Sequence, residues 1–360
     1  MKKSIINLNN DVDFTKEPMF FGEGLNIQRY DKFRYPNLFE LYKKQLGFFW
    51  RPEEVDIAGK DRSDFDTLSK NERFIFTKNL SYQILLDSVQ SRGISNLLEN
   101  CSSPEVEAFS KAWEFMEQLH SYSYTYIIKN VYPNTSDIFD NVLNDAEVLK
   151  RTSSVTKYYD ELINPLDEGT LSDKKKALYL TLMSINILEG IRFYVSFACS
   201  FAFAENKTME GNAKIIRLIC RDENLHLGFT QFVLKKLADE DSEGFKKTVK
   251  VCEPLVIQMF KDAAEEEMEW ADYLFKDGSM LGLNAEILKK YMMYLTNHRM
   301  KTIGLEPIFE KTTNPIPWIN DWIENKNVQV APQETQISSY IVGSTKNDTN
   351  TEDYSEFSFG

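Results

Sequence analysis

Two of the three histidines in this chain close the same four-residue word, Glu-x-x-His. The first is Glu117-Gln118-Leu119-His120 and the second is Glu223-Asn224-Leu225-His226. Residues three apart share one face of an α-helix, so each word aims a carboxylate and an imidazole at a single point. The words are too far apart to share a helix. A fold that uses both must bring two helices together with these polar faces turned inward.

Two more carboxylates lie in apolar helical sequence. Asp87 sits within Ile84-Leu85-Leu86-Asp87-Ser88-Val89, and Glu189 within Ile185-Asn186-Ile187-Leu188-Glu189-Gly190-Ile191. A buried, unpaired carboxylate is costly and acquires a partner or a metal. Either residue alone also reads as a partly exposed face or a structural ion pair. With the two words the order becomes Asp87, Glu117/His120, Glu189, Glu223/His226. That is one contribution from each of four helices, the ligand pattern of di-metal helix bundles. Four carboxylates balance two divalent cations, and neutral imidazoles complete the set without net charge. Oxygen ligands with one imidazole per metal suit iron or manganese, and ligand type alone does not choose between them.

The rest of the chain reads as helix. Asn37 to Leu46 forms a short helix ended by Gly47, followed by an aromatic turn, Phe48-Phe49-Trp50-Arg51-Pro52-Glu53-Glu54-Val55. Ser69-Lys70-Asn71-Glu72 is a capping box opening a long helix to Glu99. Ser103-Pro104-Glu105 opens another, to about Asn130. Asp137 to Tyr159 gives one or two shorter helices, and Asn164 to Gly169 is a loop. Ser172 caps a helix through Glu205; Glu210 to Ala238, Ser242 to Lys276 and Asn284 to Ile303 follow. No run of alternating strands interrupts them. The expected fold is all-α: a ferritin-like helical bundle over residues 1–325, with the di-metal site in a four-helix core. Residues 326–360 are polar, lack apolar periodicity and read as a flexible tail.

Composition removes several alternatives. The net charge of −13 argues against a nucleic-acid backbone as partner. The four cysteines form no C-x-x-C pair and read as buried thiols in a reducing compartment. The N-terminus has no secretory pattern, so the expected location is the cytoplasm. Ala177 to Ala204 is long enough to span a bilayer, but Glu189 and Arg192 lie at its middle. It reads as a core helix buried on all sides, not as a membrane anchor.

Several side chains should surround the site. Tyr124 is one turn beyond His120 and shares its face, while Tyr122 and Tyr126 point elsewhere. A tyrosine there is either a core residue bonded to a ligand or a group that an oxygen-activating metal pair can oxidise. Phe193, Phe197 and Ile219 stand at helical spacing from Glu189 and Glu223, where they would wall the cluster or simply pack the core. Asp222 can hold a ligand histidine by its other nitrogen. Arg221 can pair with Asp222 instead, and spacing favours neither arrangement.

These segments, together with Leu85-Leu86-Asp87-Ser88, Ile191 to Cys199, Arg221-Asp222-Glu223 and Ser338-Ser339-Tyr340, closely resemble the small (β) subunit of class I ribonucleotide reductase over nearly the whole chain. The resemblance implies a di-iron-oxo cluster of two Fe ions that reacts with oxygen and generates a tyrosyl radical. The family's ligands map onto Asp87, Glu117, His120, Glu189, Glu223 and His226, and its radical onto Tyr124. Its electron route maps onto Trp50, Asp222 and Tyr340, and leads to the large (α) subunit. The tail, with Phe357 and Phe359 among acidic residues, would dock on that subunit. A homodimer is implied as well. Tyr122 and Tyr126 stand where Arg and His are familiar, and Gly190 where Ala is familiar. Tyr122 is thus an extra oxidisable group near the site. Two other readings of the same fold are a di-metal oxidase with its own substrate and a ferritin-like iron-binding protein. The first needs an open pocket at the metals and has no use for Trp50, Tyr340 or the tail; the second is expected to form a shell and to lack the long tail.

Overall fold

The computed structural model describes residues 5–164 and 169–323. Tyr340 and the tail expected over residues 326–360 lie outside them, as does most of the loop after Asn164. Among the described residues the chain is helical, and the only β-pairing is two isolated bridges, Phe20 with Cys101 and Met280 with Leu283.

The helices begin where local chemistry can satisfy their first amides. α1 (Pro36–Gly47) starts on a proline. α2 (Lys60–Thr67), which has almost no apolar periodicity, was not foreseen from sequence. α3 (Lys70–Leu98) opens on the expected box: Glu72 N donates to Ser69 Oγ at 3.2 Å, and Ser69 N to Glu72 Oε2 at 2.9 Å. α4 (Pro104–Val131) starts on Ser103-Pro104. α5 (Ser136–Val142) and α6 (Ala146–Ile163) fill the next stretch, the latter capped by Asp145. α9 (Glu210–Asp239) and α10 (Lys246–Leu274) follow the segment described next. α11 (Ala285–Thr302) is capped by Asn284, whose Oδ1 accepts from Ile287 N at 2.9 Å. A short α12 (Asn320–Ile323) ends the described chain.

The apolar segment departs from expectation in two ways. Its cap is Thr170, in a reciprocal box with Asp173, and not Ser172, which lies inside the first turn. The helix is also not uniform. α7 (Leu171–Ile187) passes into a π-helical turn over Leu188–Arg192, and α8 (Tyr194–Glu205) continues it. Such turns occur as single widened turns inside helices, often at functional sites. The full run is apolar enough to cross a membrane by length and composition, but its apolar window is wholly buried in the protein.

Packing makes α3, α4, the α7–π–α8 rod and α9 the inner layer. α3 lies along α4, α9 contacts α4, α7 and α8, and α1, α6, α10 and α11 cover the outside. A second buried polar cluster ties α3, α6 and the π turn to α10. Tyr82 Oη donates to Glu267 Oε1 at 2.6 Å. Arg192 Nη1 donates to Glu266 Oε2 at 2.8 Å and lies 3.9 Å from Glu267 Oε1. Arg151 Nε donates to the Glu266 carbonyl at 3.1 Å.

Candidate metal centre

Four inner elements each deliver side chains to one point. α3 carries Asp87, α4 carries Glu117 and His120, the π turn carries Glu189, and α9 carries Glu223 and His226. None of the six has any solvent exposure. They form two overlapping groups, Asp87/Glu117/His120/Glu223 and Glu117/Glu189/Glu223/His226, with the ligand atoms of each within 4.8 Å of one another. Glu117 and Glu223 belong to both, so they stand between two centres, with one imidazole at each.

Both imidazoles present Nδ1 to the carboxylates. His120 Nδ1 is 3.0 Å from Glu223 Oε1 and 3.5 Å from Glu117 Oε2. His226 Nδ1 is 2.9 Å from Glu223 Oε2, 3.1 Å from Glu117 Oε1 and 4.0 Å from Glu189 Oε2. Many of these atoms nonetheless lack a hydrogen-bond partner. Both Asp87 oxygens, Glu117 Oε2, His120 Nδ1, Glu189 Oε2 and Glu223 Oε1 are buried and unpartnered. A native core rarely tolerates that. The donor set fits two divalent cations, which would satisfy these atoms together and cancel the charge.

The protonation pattern carries the same strain. Burial, then the neighbouring carboxylates Glu117 and Glu223, push Asp87 well above the usual carboxyl range. Glu189 is raised likewise by burial and by Glu223. Burial alone would lower both histidines, but Glu223 and Asp222 at His120, and Glu117 and Glu223 at His226, outweigh it and raise them. For Glu223 the imidazolium of His120 overrides burial and lowers the carboxyl. Like charges crowd this buried cluster, and two divalent cations would offset them.

Around this centre several side chains take definite places. Asp222 Oδ2 accepts from Trp50 Nε1 at 2.8 Å and lies 3.2 Å from His120 Nε2, so one oxygen joins the indole to the imidazole. Arg221 also reaches Asp222, but only at 3.7 Å; its Nη2 donates to the Phe48 carbonyl at 2.6 Å. Tyr124 is fully buried, and its hydroxyl faces Asp87 without completing a hydrogen bond of normal geometry. Burial and Asp87 raise its phenol well above the ordinary value. Phe193 and Phe197 are buried and stacked at 5.6 Å, and Ile219 is buried with them in the core. Tyr122 is on the surface, where its hydroxyl donates to Glu53, and Tyr126 Oη donates to the Val55 carbonyl at 3.0 Å.

Three partners escaped sequence reasoning. Trp113 Nε1 donates to Glu117 Oε1 at 2.7 Å, and its ring stacks on His226 at 4.8 Å. Gln90 Nε2 donates to Glu189 Oε1 at 2.5 Å. Gln45 Nε2 donates to Asp222 Oδ1 at 3.3 Å. Trp113 is four residues before Glu117 and Gln90 three after Asp87, so helical spacing was an available signal for two of them.

Comparison with known proteins places this geometry in context. A family model described as ribonucleotide reductase, small chain, matches residues 28–315. The ribonucleoside-diphosphate reductase subunit beta of Buchnera aphidicola from Schizaphis graminum is 51% identical over 95% of this chain and 96% of its own length. The subunit beta of reductase 1 from Escherichia coli O157:H7 is 49% identical over 96% of each chain. Among solved structures, a ribonucleotide reductase R2 subunit from Clostridium botulinum is 29% identical, with a TM-score of 0.80 over 89% of this chain and 98% of that one. A dimanganese(II) NrdF from Streptococcus sanguinis, 21% identical with a TM-score of 0.66 over 84% of this chain and 99% of that one, shares the fold.

Proposed function

The chain belongs to the ribonucleotide reductase small-chain family, and from that membership we propose that it stores an oxidising equivalent for the reduction of ribonucleoside diphosphates. It is an oxidoreductase subunit, serving synthesis of the deoxyribonucleotides that DNA replication consumes. Asp87, Glu117, His120, Glu189, Glu223 and His226 would hold two metal ions. Bound there, two iron ions supply the reaction with dioxygen by which a nearby tyrosine loses an electron and a proton. Manganese suits the same ligands. The observation that carries this reading is the set of unpartnered carboxylate and imidazole atoms converging in a fully buried core.

The protein's own residues then have distinct tasks. Tyr124 yields the electron and becomes the radical, and Asp87 faces its hydroxyl. Phe193, Phe197 and Ile219 keep water and reductants away from it. Asp222 holds the far nitrogen of His120 and the indole N–H of Trp50, so both rings keep fixed positions at the start of the outward route. Trp50 and Tyr340 relay the equivalent toward the large subunit, on which the tail docks with Phe357 and Phe359. Two copies of the chain pair as a dimer. All four cysteines are free thiols, as suits work in the cytoplasm.

The test is aerobic loading with ferrous iron, followed by electron paramagnetic resonance. A tyrosyl signal is expected, and Tyr124→Phe should abolish it. A signal unchanged in that variant overturns the assignment of Tyr124. Loading with manganese in turn decides the native metal by which form supports turnover with the large subunit. Deletion of residues 341–360 should abolish turnover and leave the radical intact. A deletion without effect on turnover would favour an oxidase or storage role.

A further inference from the structure

One oxygen of Glu189, Oε1, is held by a two-step chain that runs out of the centre to α6. Gln90 is wholly buried, and its Nε2 donates to Glu189 Oε1 at 2.5 Å. The opposite end of the same amide, Oε1, accepts from the hydroxyl of Tyr159 on α6, itself buried. An amide can face either way by shape, but a carboxylate that ligates a metal carries no proton, so its free oxygen only accepts. The nitrogen must therefore face Glu189, which leaves Oε1 toward α6 and requires a donor there. Tyr159 is that donor. Burial, with Glu189 and Glu117 nearby, raises its phenol well above the ordinary value, so the proton stays on.

The ring has a dedicated seat. Gly93 lies inside α3, three residues beyond Gln90 and on the same face. A Cβ built there would lie 2.1 Å from Tyr159 Cε1, 2.6 Å from Cδ1 and 2.7 Å from Cζ. No side chain fits while the ring stays. Glycine inside a helix costs about 1 kcal/mol relative to alanine. The helix bears that cost at the one point where the Tyr159 ring must lie flush with α3 to reach Gln90. With Oε1 of Glu189 occupied, its Oε2 is left buried and unpartnered, 4.0 Å from His226 Nδ1.

We propose that Tyr159 is a positioning residue for Glu189, acting through the Gln90 amide to commit one carboxylate oxygen to the protein and leave the other for metal. The proposal rests on the metal-site reading above. Tyr159→Phe keeps the ring on Gly93 and removes only the donor, so Gln90 Oε1 loses its partner and the amide is free to turn.

Anaerobic titration of the full chain with Mn(II) alone, following unbound ion by its six-line paramagnetic resonance signal, tests this. The parent should take up two ions per chain. Tyr159→Phe should bind Mn(II) about tenfold more weakly, and Gln90→Leu at least as weakly, in line with losses seen when groups behind a metal ligand are removed. The double variant should match Gln90→Leu alone, because Tyr159 acts only through that amide. A Tyr159→Phe protein that binds Mn(II) like the parent overturns the proposal, even if its metal-free form melts lower. So do penalties that multiply in the double variant. A parent that binds no Mn(II) overturns the metal-site reading itself, which a defect confined to the variants does not.

Discussion

Replacing Glu267 with Gln should stabilise the protein at neutral pH and change little in mild acid. The residue is wholly buried on α10, where burial pushes its carboxyl from 4.5 up to about 7 against the pull of Arg192, Tyr82 and Arg151. In the unfolded chain the same carboxyl gives up its proton near its ordinary value. Between the two, the folded state binds a proton that the unfolded state has released. The stability tied to this group is therefore complete below the unfolded value and is lost as pH rises toward the folded one. At about 1.4 kcal/mol per pH unit the loss reaches about 3 kcal/mol. The neutral amide of the Glu267→Gln variant would carry no such loss, and its oxygen can still accept from Tyr82. Urea denaturation of the metal-free parent and variant, side by side from about pH 4.5 to 8, reads the difference, in which every other titrating group cancels. The gap should open from near zero to about 3 kcal/mol in favour of the variant. A variant less stable than the parent at neutral pH would mean that Glu267 is ionised against Arg192, and the burial argument would fail.

Asp222→Asn leaves one oxygen to serve both Trp50 and His120, so metal affinity should fall about 10-fold or more and turnover with the large subunit should drop further than radical yield; metal titration and paramagnetic resonance check this. Gly93→Ala gains up to about 1 kcal/mol of helix propensity but drives a methyl into the Tyr159 ring, and overpacking of about 1–3 kcal/mol should leave a net loss in a denaturant melt. Metal loading at a hundredfold excess over Kd should stabilise the fold by about 2.7 kcal/mol per site, and a chelator should reverse the shift in Tm.

Much of this site was legible because helices convert sequence spacing directly into shared faces. The two Glu-x-x-His words needed only that rule, and Asp87 and Glu189 stood out as charges in apolar surroundings. Helix starts at Ser69 and Ser103 followed from capping chemistry. The π turn was not legible. A segment apolar on every face has no polar stripe whose phase could reveal one extra residue. Thr170 was passed over for Ser172 because both precede an acceptable turn, and only the reciprocal bond with Asp173 separates them. Tyr159 and Gln45 were missed for a different reason. Their partners come from other helices, and which polar groups meet across an interface depends on packing that spacing within one helix does not encode.

The π turn has a consequence for reading natural variation in this chain. Within that turn the Gly190 carbonyl accepts from Nε of Arg299 on α11 at 3.2 Å, while Nη2 of the same arginine donates to Tyr194 Oη at 2.9 Å. α11 supplies none of the six ligands, yet its arginine grips the backbone next to one. A lysine at position 299 keeps the charge and loses the fork that makes both contacts. A clinical or evolutionary survey that sorts substitutions by distance from the ligand side chains would score such a change as conservative and remote. Its phenotype would instead follow that of Glu189, so the boundary of the metal centre runs through a helix that never touches the metal.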